Sequence, residues 1–334
     1  MNTAVTNQIL NLISNNNLNQ TFTYAGNLVF VNLDFLTNRN YQFEGVNEYF
    51  YVIGQLKGRT VIFLQRDGVN LRYTGMLEII QQTIDDLDLT SDSCYFYGYT
   101  NYDIQNCTHL NLDALQMWCS ITYNYISSLE LSKPNFEHYF AGLYGRFDLY
   151  RFKLYRHLVN KNSLLSWNAS QIYINQRYSD IFDDDLQWAN TNTLNSLDYD
   201  NGSNSVMAGE SLNLISRHYN NYFVEVVSET DVHTNKFFTE KTCKNLYLGK
   251  PFLLLSGQGS IKVLQDYGFK TFGPWIDESY DNYSNVYDRL TAIKQEIDRL
   301  SLLSVEQLQT MHDELQPVFE HNRQFFEKIA NGKN

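Results

Sequence analysis

Thr239-Glu240-Lys241 is the stretch of this chain whose residue types and spacing most directly suggest chemistry. An acid and a base stand side by side after a Thr able to cap a helix, so both charges fall in a first turn. There the unpaired backbone N–H groups and the helix dipole favour an anion, phosphate above all. Lys241 adds a point charge suited to a diphosphate. Glu240 can accept two hydrogen bonds from the vicinal hydroxyls of a ribose. Together they would read a nucleoside diphosphate by its ribose and its phosphates. Spacing alone leaves a plainer account open, in which Glu240 simply favours the dipole and Lys241 is solvated.

A second basic element is GRFDLYRFKLYRHL, residues 145–158, which places Arg146, Arg151 and Arg156 around a helix start. Arg151 falls in the first turn. The planar guanidinium is the better side chain for a bidentate phosphate clamp. With only 25 Lys and Arg in the whole chain, such a cluster is conspicuous. Arg156 and Lys153 equally fit a solvated helix face.

The elements that must position these groups follow from patterning. In the second half, 221–228 reads as a buried strand and 252–256 as the next, with a helix from the Thr239 cap to Leu248 between them. Gly249-Lys250-Pro251 ends that helix. The loop 257–260 opens a helix over 261–267, Gly268 closes it, and 269–272 reads as a further strand. Strand and helix alternating at this spacing predict a parallel, Rossmann-like half. The first half alternates too, with strands at 27–33, 60–65, 94–100 and 138–144, and helices at 75–87, 112–119 and 149–161. The tail, 286–330, is helical and amphipathic, interrupted near Pro317. The expected architecture is α/β: two Rossmann-like lobes facing a cleft, 1–135 on the acceptor side and 136–334 on the donor side, closed by helices over 286–330.

Residues 145–281, with the run FFTEKTCKNLYLGKPFLLLS at their centre, resemble the donor-binding half of glycosyltransferases of the GT-B fold. The likeness is to the fucosyltransferase-like group and its phage and bacterial relatives. In that family the Glu of Thr-Glu-Lys holds the ribose, the Lys holds phosphate, and an Arg at the start of an earlier helix holds the diphosphate. The resemblance therefore implies those roles for Glu240, Lys241 and Arg151; Arg146, Thr239 and Ser228 are further donor-site candidates. Where the family has Glu-Asn-Ser this chain has Ser228-Glu229-Thr230-Asp231, and without the Asn neither guanine nor fucose specificity carries over.

Inverting transfer needs a carboxylate to take the acceptor's proton, set opposite the nucleotide. Asp67 follows a strand directly and precedes Gly68, which suits a cleft-facing strand end. Asp34, at the end of another strand, is the second candidate, and Glu229, close to the donor corner, the third. Asp before Gly is also an ordinary turn. A metal-dependent transferase is the alternative: 183–185 and 198–200 contain Asp-x-Asp, a spacing that can hold Mn²⁺ against a diphosphate. The expectation adopted is no metal and no cofactor beyond the nucleotide-sugar co-substrate. His233 lies where it can face the donor or simply solvent.

Composition narrows the partners. Net charge is −12 with no Lys/Arg block, which argues against nonspecific attraction to nucleic acid or an anionic membrane. The longest apolar runs fall short of a bilayer span. Cys94, Cys107, Cys119 and Cys243 show no CxxC spacing and read as free thiols in a reducing compartment. No basic n-region opens the sequence, so the expectation is a cytoplasmic protein. The sequence thus points to a glycosyltransferase moving a sugar from a nucleoside-diphosphate sugar to a hydroxyl acceptor, a glycan first. Two alternatives stay open: a non-catalytic nucleotide- or sugar-binding protein of the same fold, and a phage enzyme glycosylating a DNA base.

Overall fold

Apolar runs without alternation mark strands covered on both faces, and in a computed structural model of the chain they become two sheets. The structure describes residues 7–12, 22–33, 56–65, 76–100, 102–131, 136–144, 148–167, 188 and 217–332. The chain is an α/β protein that divides into two compact units, Met1–Ala114 and Leu115–Asn334, each with its own sheet.

The first unit carries β1 (Phe22–Ala25), β2 (Leu28–Asn32), β3 (Thr60–Leu64), β4 (Cys94–Gly98) and β5 (Thr108–Asn111), in that spatial order. A hairpin with Gly26 at φ +62 makes β1 antiparallel to β2, and β2 through β5 run parallel. Helix α1 (Met76–Asp86) buries Met76, Ile80 and Ile84, a spacing of four that keeps one face on the sheet. The described strands step across in one direction, so their order never reverses.

The second unit carries β6 (His138–Tyr144), β7 (Ser163–Trp167), β8 (Tyr222–Ser228) and β9 (Phe252–Leu255), all parallel, in the order β7-β6-β8-β9. After β6 the chain steps to one side for β7, then returns to the other for β8. The order reverses between β6 and β8, which makes a topological switch point. Its helices among the described residues are α2 (Ala114–Ile126), α3 (Leu149–Leu158), α4 (Glu240–Leu248), α5 (Ser260–Tyr267), α6 (Val286–Leu300), α7 (Val305–Glu314) and α8 (Gln316–Ala330).

Three differences from the sequence reading have clear causes. The division falls at 114/115 rather than 135/136 because α2 packs into the second unit. The Ser120 hydroxyl donates to Ala330 O at 3.0 Å, and the Tyr123 ring meets Tyr247 edge-on. Residues 269–272 are not a strand. Phe269 and Phe272 are buried, but the Asn322 side chain of α8 pairs with both backbone groups of Lys270, at 2.8 and 2.9 Å, where a neighbouring strand would otherwise pair. The C-terminal helices break first at 301–304, where Ser304 and Gln307 form a capping box. The interruption expected near Pro317 is present as well, between Glu314 and Gln316, with Pro317 in the first turn of α8.

Beneath β8 lies a buried polar layer. Lys244 pairs with Glu225 at 2.8 Å, and the Tyr222 hydroxyl donates to the other Glu225 oxygen at 2.9 Å. Lys250 is buried as well. Its ammonium donates to Tyr222 O at 2.6 Å and lies 4.6–5.3 Å from the ring centres of Tyr222, Tyr219 and Phe136.

Candidate functional site

In an open parallel sheet, ligands bind outside the carboxyl ends of the strands at the point where strand order reverses. In the second unit that point lies between β6 and β8. The first turn of α3 follows β6, and residues 229–239 follow β8 and lead into α4.

The start of α3 is fixed by Asp148, whose carboxylate accepts from the Tyr150 and Arg151 N–H groups. This holds Arg151 in the first turn, as its place in the sequence suggests. Its side chain is buried. Nη2 donates to Ser228 O at 3.1 Å and to Thr230 Oγ1 at 3.4 Å, so the guanidinium lies against the end of β8. Arg151 Nε and Ser228 Oγ are both buried without a hydrogen-bond partner. Such orphaned groups are uncommon in a folded interior.

Glu229 is the next residue along, and its carboxylate is fully engaged with the start of α4. It accepts from Thr239 N–H at 3.0 Å, the Thr239 hydroxyl at 2.6 Å and the Thr242 hydroxyl at 2.6 Å. Thr239 caps α4 as the sequence implies, its hydroxyl accepting from the Lys241 N–H and from the Lys241 ammonium at 3.1 Å. Lys241 Nζ also bonds Glu240 Oε1 at 2.8 Å. Burial alone would raise the Glu240 carboxyl, but the adjacent Lys241 charge and hydrogen bond outweigh it and hold the group below its ordinary value. Glu240 and Lys241 are therefore paired with each other, rather than extended as two separate arms.

Arg151, Ser228, Glu229, Thr239, Glu240 and Lys241 thus form one connected corner. The chain of contacts runs from the α3 guanidinium through the end of β8 and the Glu229 carboxylate to the charged first turn of α4. Asp67, Asp34 and Arg146 lie outside the described residues, as do the Asp-x-Asp stretches 183–185 and 198–200. Among the described residues, no group of three or more His, Cys, Asp or Glu side chains is arranged to hold a metal ion. No described helix is long and apolar enough to cross a membrane.

Several supports of the corner escape sequence reasoning. Arg289, on α6, looks like a solvated charge in its helical repeat, yet it is buried. It donates to Ser256 O, Val232 O, Tyr283 O and Ser284 O at 2.7–3.0 Å, tying three loops together. Asp281 reaches across to accept from the first N–H groups of α5. Gly257 lets the β9–α5 loop pass against residues 234–235: a Cβ there would sit 2.2 Å from the Thr234 carbonyl carbon. Only Gly257 carries a sequence signal, as a glycine just after a buried strand. His233 is exposed, with its N–H held by Asp231. Compared with family models, curated proteins and solved structures, the chain matches none.

Proposed function

We propose that this corner binds the nucleoside diphosphate of a sugar donor, and that the chain is a glycosyltransferase passing the sugar to a hydroxyl acceptor, a glycan first. The observation that carries the reading is that Arg151, bonded to the end of β8, and the Glu229–Thr239–Lys241–Glu240 hydrogen bonds that follow it along the chain meet at the switch point of a parallel sheet. The resemblance over 145–281 gives the same residues the same tasks. Glu240 receives the ribose hydroxyls. Lys241, with the N-terminus of α4, stabilises the leaving diphosphate, where negative charge develops. Arg151 adds positive charge from beneath Ser228 and Thr230. Glu229 holds the corner together, since its donors are Thr239, the cap of α4, and Thr242 in the first turn. The acceptor's proton goes to a carboxylate of the first unit, Asp67 before Asp34, in an inverting, metal-independent transfer. A two-lobed GT-B arrangement and a cytoplasmic setting belong to the same proposal.

Calorimetry of the full chain with UDP-, GDP- and ADP-sugars in EDTA tests the binding. Lys241→Ala should weaken the bound nucleotide by ~1.5–3 kcal/mol, the range for a charge-assisted hydrogen bond. Asp67→Asn should leave that affinity unchanged while transfer falls roughly 10²–10⁴-fold, the usual worth of a positioned base. Binding without any transfer, in wild type and variant alike, would make the chain a nucleotide-sugar binder. Affinity that vanishes in EDTA and returns with Mn²⁺ would move the chemistry to the Asp-x-Asp stretches.

A further inference from the structure

The corner has an aromatic flank that none of the roles above uses. Tyr150 precedes Arg151 in the first turn of α3. Its ring lies edge-on to His233, 6.3 Å between centres, and edge-on to Tyr287 in the first turn of α6, at 5.5 Å. His233 belongs to the loop that carries Ser228-Glu229-Thr230 into α4. Tyr287 retains 42% of its surface exposed and neighbouring Tyr283 48%, high values for large rings among the described residues. The arrangement is also held rigidly. Arg289, two residues after Tyr287, fixes the backbone at Val232 beside His233 and at Tyr283. Asn285 caps α6 through the Tyr287 N–H itself at 2.8 Å. A preorganised ring loses little freedom on binding.

Two features point to an occupant. The aromatic side of the corner adjoins a buried guanidinium with an orphaned Nε and an equally orphaned Ser228 hydroxyl, and it continues the loop that ends at Lys241. A ligand suited to both parts has a flat π face joined to an anion. Resting on the donor-site reading above, we infer that Tyr287, braced by the Tyr150 ring with His233 on its far side, offers the ring face on which the nucleobase of the donor stacks. Stacking on a ring face reads area rather than the pattern of donors and acceptors on a base edge. The site therefore prefers purine over pyrimidine nucleotides and discriminates weakly between adenine and guanine.

Calorimetry of the full chain with inorganic pyrophosphate, ADP, GDP and UDP tests this, in wild type, Tyr287→Ala and Tyr287→Phe. Wild type should bind ADP and GDP within a few-fold of each other, more tightly than UDP, and all three more tightly than pyrophosphate. Tyr287→Ala should lose about tenfold on ADP, the lower part of the range for one base on one ring, with pyrophosphate affinity unchanged. Tyr287→Phe should restore ADP binding. If wild type binds pyrophosphate and ADP equally, or Tyr287→Ala binds ADP as wild type does, the platform is overturned while the phosphate corner stands. If wild type binds none of the four, the donor-site reading fails and the platform with it.

Discussion

Glu229 shows how the same carboxylate supports two very different expectations. As an acid beside a donor corner it is a candidate for chemistry, but three hydrogen bonds from Thr239 and Thr242 commit it to the N-terminus of α4. Glu229→Gln would swap one acceptor oxygen for an NH₂ facing groups that are themselves donors. The expected loss is about 2–3 kcal/mol of unfolding free energy, from charged hydrogen bonds broken and a donor left unsatisfied. Urea denaturation measures it, and unchanged stability would show that the carboxylate is not the keystone of the cap. Lys250 is the other residue whose environment predicts behaviour. Burial drives its amine down to about 7, with Glu225 pulling the other way, against an ordinary value near ~10.4 when unfolded. Between those two pH values the unfolded chain holds one more proton than the folded one, so this group makes stability rise with pH across that window. Its penalty is largest below pH 7 and gone above the unfolded value. Lys250→Met removes the term. The stability of wild type minus that of the variant should therefore climb from pH 7 to 10, by up to ~1.4 kcal/mol per unit. A flat difference would mean that Lys250 titrates as an exposed lysine does.

At the scale of elements, the proposed donor corner depends on loops that meet without side chains between them. Gly257 is the point of closest approach: its N–H donates to Thr234 O at 3.2 Å, and a Cβ would collide with the Thr234 and Asn235 backbone. Gly257→Ala must push residues 229–239 away from β9, at a cost of about 1–3 kcal/mol for overpacking. Because that loop links Ser228 to the Thr239 cap, nucleotide affinity should fall along with stability. Thermal melts and calorimetry on one sample separate the two, and a variant that binds as wild type would show that the loop gives way without disturbing the corner. The corner's central parts were legible because each obeys a local rule. Buried strands read as apolar runs, Thr239 as a cap, Gly249 and Gly268 as helix ends, and Arg151 as a first-turn residue. What stayed hidden depends on partners distant in sequence. The short strands β1, β5 and β7 gain their identity from neighbouring strands. The 269–272 segment has a strand's composition but pairs with Asn322. Arg289 has a surface residue's pattern, and only the fold shows that three loops converge on it.

For the whole molecule, the decisive feature is that the hydrophobic cores respect the division at 114/115. The large core of the second unit draws its buried residues from Leu115 to Ile329, while the two smaller clusters draw theirs from Ile9 to Leu110. A unit with its own core and its own sheet can fold alone. Every described residue of the proposed donor corner, from Arg151 to Lys241, together with its supports Gly257, Asp281 and Arg289, belongs to the second unit. A fragment of residues 115–334 is therefore expected to unfold cooperatively and to bind nucleoside diphosphates as tightly as the full chain, within about threefold. It should transfer no sugar, because the carboxylates assigned to the acceptor's proton, Asp67 and Asp34, lie in the first unit. The fragment must keep α2, whose Ser120 and Tyr123 pack against α8 and α4. A version starting at residue 136, the boundary drawn from sequence alone, should be less stable for want of that helix. Comparing the two fragments by denaturation and by calorimetry with ADP checks both points. A folded 115–334 fragment that binds no nucleotide, beside a full chain that does, would mean that the first unit completes the donor site, and the assignment of binding to one unit and acceptor chemistry to the other would have to be withdrawn.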